Sequence, residues 1–185
     1  MVNPYKEFKP SKNSVAVVLA TSGVADVRFY LARRKSKGKT SAGKFDGYGG
    51  RWQSCDKDMY ATAKRKFFEK AGVKVTRKNL HLRGIVEVFY LGNNSKKPDR
   101  VICYFTTFNY EGVLSETEKM GKPVLYSRFA SPFKEMRPAD EHVIQMMAPD
   151  LHKVIQGEIR YTKNEEGGVN VIPKLFYAPP TKRKA

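Results

Sequence analysis

Three side chains fall where one helical face would gather them. Residues 58–71, DMYATAKRKFFEKA, set Met59, Ala63, Phe67 and Ala71 at helical spacing, with Tyr60 and Phe68 beside them. That stripe predicts a helix buried along one side. Asp58 is placed to cap its start and Gly72 to close its end. Positions three and four apart on a helix share a face, so Lys66, Glu69 and Lys70 project together. The face then carries one carboxylate and two ammoniums. A protonated lysine is no ligand for a metal ion, and two of them repel Mg²⁺. Lysine does serve phosphate well as a point charge. Arg65 stands one turn before Glu69, at the spacing of an intrahelical ion pair.

The elements that must position this face are legible around it. Residues 15–20, VAVVLA, form a short Val-rich run of the buried-strand kind. Thr21-Ser22-Gly23 reads as a turn, and the alternating residues 27–34, VRFYLARR, pair back as a hairpin. Residues 35–44, KSKGKTSAGK, are too polar to pack and read as a basic loop. FDGYGG, residues 45–50, holds three glycines in six positions, which permits backbone angles that other residues avoid. Further strands are expected over 80–91, 100–110, 124–129, 158–163 and 169–177. A second helix opens at Pro138 and covers 139–147, with an extension past Pro149 over 150–157. Strands mixed with two helices predict one α/β sandwich with a mixed sheet. The expected organisation is an extension over 1–13, a domain over 14–178 and a basic disordered tail over 179–185.

Bulk properties narrow the function. The 185 residues suffice for one domain with a real core, and 35 Lys and Arg against 18 acidic residues leave a formal charge of +17. Charge of that size favours a polyanionic partner, nucleotide or nucleic acid. A solvated basic surface is the plainer reading. The two cysteines, Cys55 and Cys103, make neither a disulfide scaffold nor a zinc site, and they predict a reducing, cytoplasmic or other intracellular setting. No segment approaches the apolar length needed to cross a membrane, so no membrane partner is expected. His81, His142 and His152 form no recognisable nucleophile–base spacing, and no Walker-type phosphate loop is present.

Residues 43–73, GKFDGYGGRWQSCDKDMYATAKRKFFEKAGV, resemble a Nudix box with its preceding loop. The family pattern runs Gly, five residues, Glu, seven residues, then Arg-Glu-apolar-any-Glu-Glu-any-Gly-apolar. Here Gly50 is followed by five residues and Asp56, then by eight residues where the family has seven. Gly50, Arg65, Phe67, Glu69, Gly72 and Val73 match in kind, while Lys66 and Lys70 stand where the family has Glu. The nearest resemblance is to the MutT-type hydrolases of oxidised purine nucleoside triphosphates. Lys44-Phe45-Asp46-Gly47-Tyr48-Gly49-Gly50 is similar to that group's glycine-rich loop. Pro132 to Asp140, PFKEMRPAD, is similar to its Pro-Phe-Lys-Asp-Met-Trp-Pro-Asp-Asp segment, and Ser115-Glu116-Thr117-Glu118 to an acidic loop near its metals. The resemblance covers residues 15–160 in order and implies a Nudix-type α/β/α sandwich.

It also implies a reaction, the hydrolysis of a phosphate anhydride, in which Mg²⁺ neutralises charge and orients water. Mg²⁺ takes oxygen ligands, so the box helix must offer carboxylates. Three readings follow. In one, the site no longer hydrolyses, and Lys66, Lys70 and Lys44 bind phosphate directly. In another, an altered site built from Asp56, Asp58, Glu69, Glu116 and Glu118 holds one Mg²⁺, Glu69 and Arg65 act in catalysis, and the chain is a divergent pyrophosphohydrolase. In the third, the domain is a scaffold and the lysines are solvated surface.

The resemblance carries a base pocket onto Asp46, Ala139 and Asp140, with Arg137 at the position of a stacking Trp. Arginine also stacks on a base and adds charge for phosphate. Phe45 and Tyr48 flank Asp46 and join the expected pocket wall. Phe29, Tyr30 and Trp52 are further stacking candidates that more readily fill the core. Asp140 and Glu141 also suit a helix N-terminus without any ligand. The basic runs 33–39 and 182–184 offer a track for single-stranded nucleic acid.

Overall fold

The computed structural model describes residues 8–23, 27–35, 42–92, 95–127, 129–166 and 168–178. The predicted 179–185 tail, residues 1–7 of the extension and most of the basic loop lie outside these. The centre of the fold is β1, Ser14–Ser22, buried at every position but its last. It pairs antiparallel with β2 (Arg28–Arg33) through one half and with β4 (Tyr48–Arg51) through the other. Its other edge runs parallel to β6 (Arg100–Thr107). A strand covered on both faces reads as a continuous apolar run, which is why VAVVLA shows no alternation.

Beyond β6 the sheet continues through β5 (His81–Phe89), β8 (Ile155–Lys163) and β9 (Val169–Tyr177). The short strands β3 (Phe45–Asp46) and β7 (Val124–Ser127) border β2. The glycine-rich segment is therefore strand and not only loop. Its glycines are there for proximity: a Cβ on Gly49 would sit 2.1 Å from the Ala16 carbonyl oxygen.

Two helices cover opposite faces. The first, α1 (Met59–Ala71), ends as predicted: Asp58 accepts from the Ala61 N–H at 2.9 Å, and Gly72 takes φ 73° and donates to the Phe68 carbonyl at 3.0 Å. Its apolar stripe meets Ala16, Val18 and Ala20 of β1. The second, α2 (Pro138–Met147), packs Val143, Ile144 and Met147 over Val15, Val17 and Leu19 on the other face. The predicted α/β/α layering with a mixed sheet is observed. The expected helical extension over 150–157 is not. Pro149 withholds a backbone donor, the chain turns, and Ile155 enters the core as the start of β8, parallel to β5. No helix among the described residues is long and apolar enough to cross a membrane.

Candidate functional site

A cleft of about 780 Å³ opens where α1 overhangs the β4 edge and the start of α2 approaches the sheet. Its floor is Val15 and Val17 of β1. Among the described residues, eight cationic side chains line it against two carboxylates, Asp46 and Glu69. Lys66, Glu69 and Lys70 all reach it from α1, as the helical spacing predicts. Lys44 reaches it from the loop before β3.

The three α1 groups differ in state. Lys66 lays its stem across Gly50, where a Cβ would lie 2.8 Å from the lysine Cδ. Its ammonium donates to Glu69 Oε2 at 2.7 Å, and Arg65 Nη1 donates to Oε1 at 3.0 Å. Lys119 adds a third cation, 3.7 Å from Oε2. Burial opposes the Glu69 charge, but the hydrogen bonds from Lys66 and Arg65 outweigh it and hold the carboxyl below its usual range. Lys70 is only 7% exposed, and its ammonium makes no hydrogen bond or ion pair with any described residue. Burial pushes it down to about 8, against the pull of the Asp46 carboxylate.

The carboxylates expected to hold Mg²⁺ are not brought together. Asp56 is buried and turned into the loop before α1. It accepts from Arg65 Nε at 2.8 Å, from the Thr62 hydroxyl at 3.0 Å and from the Gln53 N–H at 3.0 Å. Asp58 caps α1 and pairs with Arg77. Glu116 pairs with Lys35 beside a separate hollow near Tyr30 and Tyr110, and Glu118 is exposed outside the cleft. The loop that carries them is pinned by buried Met120 and by the Lys119 carbonyl, which accepts from the Lys35 N–H at 3.1 Å. That register turns Lys119 inward and its neighbouring glutamates away. Among the described residues, no three His, Cys, Asp or Glu side chains lie close enough to share a metal. With both Glu69 oxygens held by cations, this set does not fit Mg²⁺.

Asp56 is a test of the loop rather than of chemistry. The Arg65 hydrogen bonds outweigh burial and hold its carboxyl down at about 2, against 3.8 in the unfolded chain. The stability this adds is complete above pH 3.8 and is lost as pH falls through 2. Asp56→Asn is expected to cost about 2 kcal/mol at neutral pH. Acid titrations followed by circular dichroism should show the difference from the parent closing below pH 3.8. A difference that persists unchanged at pH 2 would refute the assignment.

The expected base pocket is closed on itself. Asp46 pairs with Arg137 at 3.2 Å and Arg34 at 3.4 Å. Asp140 accepts from Arg137 Nε at 2.5 Å and from the Tyr104 hydroxyl at 2.7 Å. Burial pushes the Asp140 carboxyl up, although Arg137 opposes it. Two arginines and two aspartates thus neutralise one another, and the aspartates, 3% and 2% exposed, offer little edge to a base. Phe45 and Tyr48 do not form one wall either. They lie three residues apart in extended backbone, so they point to opposite faces. Phe45 joins the α2-side core against Tyr126, with Arg33 stacked 4.1 Å from its ring centre. Tyr48 is fully buried on the α1 side against Phe67. Phe29 is core as well. Ala139 is buried in the α2-side core.

The far end of the cleft holds aromatics that sequence reasoning missed. Tyr90 follows β5 and Tyr161 sits on β8, with ring centres 5.3 Å apart, and the Arg100 guanidinium lies 5.3 Å from the Tyr90 ring centre. Nothing in the sequence marks Arg100 or Lys119 among so many basic residues. Sheet order brings Arg100 to the cleft, and the pinned loop before β7 brings Lys119.

No known family profile matches the sequence, and no curated protein matches it. Solved structures do resemble it in fold. The mutator MutT protein of Bacillus halodurans superposes with a TM-score of 0.63 at 15% identity, over 91% of this chain and 99% of that one. The NUDIX domain of Shewanella oneidensis NrtR, solved with ADP ribose, gives 0.58 at 16%, over 81% and 94%. An Ap4A hydrolase of C. elegans gives 0.54 at 12%, over 75% and 97%. The architecture is the Nudix fold.

Proposed function

We propose that this Nudix-fold chain binds the phosphates of a nucleotide or nucleic acid at a degenerate Nudix site, with weak or no hydrolysis. The observation that carries this reading is Lys70. The residue is 7% exposed, its ammonium pairs with no described residue, and it opens on a cleft whose described lining holds eight cations against two carboxylates. A phosphate oxygen would complete it. The bound ADP ribose of the NrtR domain supports the reading, since a domain of this fold accommodates a phosphate-bearing nucleotide.

Glu69→Gln separates binding from hydrolysis. A hydrolase depends on this carboxylate for its metal. In the binding reading Glu69 is an internal counterion that occupies Lys66 and Lys119. Its neutralisation is expected to strengthen ATP or pyrophosphate binding, measured by calorimetry without metal, by roughly three- to ten-fold. Binding should weaken as salt rises, because exposed charges are screened. A panel of nucleoside triphosphates, oxidised purines included, is then assayed with Mg²⁺ or Mn²⁺. Metal-dependent turnover that disappears in Glu69→Gln would replace this reading with a divergent pyrophosphohydrolase.

A further inference from the structure

On its own side of the sheet, α1 lies over β1 and β4, and no described helix covers β5, β8 and β9 there. Strand register fixes what this bare face presents. One row across the three strands holds Ile85, Gln156 and Phe176, and the next holds Glu87, Glu158 and Lys174. In the third row Arg160 covers the Phe89 ring, 3.9 Å from its centre, beside Ile172. The first two rows line a hollow of about 650 Å³. Ile172 and Phe176 are 44% and 53% exposed. Glu158 pairs with Arg160 at 3.0 Å and with Lys174 at 3.6 Å, while Glu87 has no ion pair among the described residues. Two carboxylates against two cations leave these three rows neutral, in a chain whose formal charge is +17. A second copy, repelled by the basic remainder, meets little net charge here.

The open edge of β9 is a poorer place for it. The Ala178 N–H donates to the Val154 carbonyl and the Asn164 N–H to the Gly168 carbonyl. Hydrogen-bonded pairs alternate in an antiparallel ladder, so even-numbered residues of β9 bond to β8 and odd-numbered ones face outward. Pro173 is one of the latter and leaves the middle of the edge without a donor. The face, by contrast, is complementary to itself. A two-fold axis along β8 lays β9 of each copy over β5 of the other. Phe176 then meets Ile85, and Lys174 meets the unpaired Glu87, each contact twice in the pair. Glu158 comes near its counterpart at the axis, each already held by its own Arg160 and Lys174. Stacked sheets lie about 10 Å apart, within reach of facing lysine and glutamate side chains. A two-fold axis across the strands would instead set Glu87 on Glu87 and Lys174 on Lys174. We propose that a second copy of this chain docks on the bare β5–β8–β9 face about an axis along β8, with Lys174 of each copy on Glu87 of the other.

Sedimentation velocity on the full chain, over a dilution series in about 0.15 M salt, tests this. The parent is expected to pass from monomer to dimer as concentration rises. Glu87→Lys and Lys174→Glu each put two like-charged contacts into the pair and should weaken association by roughly ten-fold or more. The double variant reverses the row end for end and should restore association to within a few-fold of the parent, which a merely misfolded single variant could not explain. A parent that stays monomeric throughout would overturn the second copy as occupant. Association unchanged by both single reversals would place the contact elsewhere, and a loss that the double variant fails to restore would refute the Lys174–Glu87 pairing and the axis with it.

Discussion

Lys70→Met should make the protein more stable and a poorer binder at once. The wild-type amine keeps its charge in a setting that lowers its pKa from 10.5 to about 8. Each unit of such a shift corresponds to about 1.4 kcal/mol, so the charged side chain costs the fold about 3 kcal/mol at neutral pH. Methionine has similar length and no charge to bury. The expected gain in melting temperature is on the order of 5–10 °C for a domain of this size. The pH dependence identifies the cause. Below pH 8 the lysine is protonated in both states and folding bears the whole cost. Between 8 and 10.5 only the unfolded chain holds the proton, so wild-type stability climbs relative to the variant. Above 10.5 neither state holds it and the cost is gone. Pyrophosphate should raise the wild-type melting temperature clearly more than that of the variant, in line with a roughly ten-fold loss of affinity. A variant less stable than the parent would show that the ammonium is already satisfied, and the case for a ligand at this position would fall with it. A residue that lowers stability while serving a site is the usual exchange at functional positions.

The double charge reversal Lys66→Glu with Lys70→Glu is expected to exchange one ligand class for the other. Each lysine–phosphate contact is worth about ten-fold or more, so reversal of both should weaken pyrophosphate by at least ~100-fold. The same change places three carboxylates at i, i+3 and i+4 of α1, the arrangement that a hard divalent cation wants. Arg65 remains to hold both Asp56 and Glu69. That double contact implies that the extra residue between Asp56 and Arg65 is absorbed before the helix, with the register of α1 preserved. The double variant should therefore bind Mg²⁺ or Mn²⁺ in calorimetry and gain thermal stability with either metal. Retention of pyrophosphate affinity would remove the lysines from the proposed site. Loss of pyrophosphate without any gain of metal would mean that the inserted residue has moved the helix face away from a coordinating geometry.

Local order was readable in the chain. The periodicity of 58–71, with Asp58 and Gly72 at its ends, specifies α1 and the shared face of Lys66, Glu69 and Lys70, because helical spacing is a property of consecutive residues. The Val-rich run and the ordered segments resembling Nudix loops specify the sheet's centre and the layering. The replacement of two expected glutamates by lysines, and the doubt this casts on a metal, needed no coordinates either. What consecutive residues cannot carry is which side a side chain takes after the chain has turned. Phe45 and Tyr48 look like one wall in sequence and belong to two cores. Asp46 and Asp140 look like base readers, yet Arg34 and Arg137 arrive from distant segments and neutralise them. Glu116 and Glu118 sit in the loop expected near a metal, but the burial of Met120 turns Lys119 inward instead. Arg100, Tyr90 and Tyr161 meet only because β6, β5 and β8 are neighbours in the sheet. The charge of the cleft follows from composition, while the place each cation takes in it follows from strand order, register and loop anchoring, which long-range pairing alone decides.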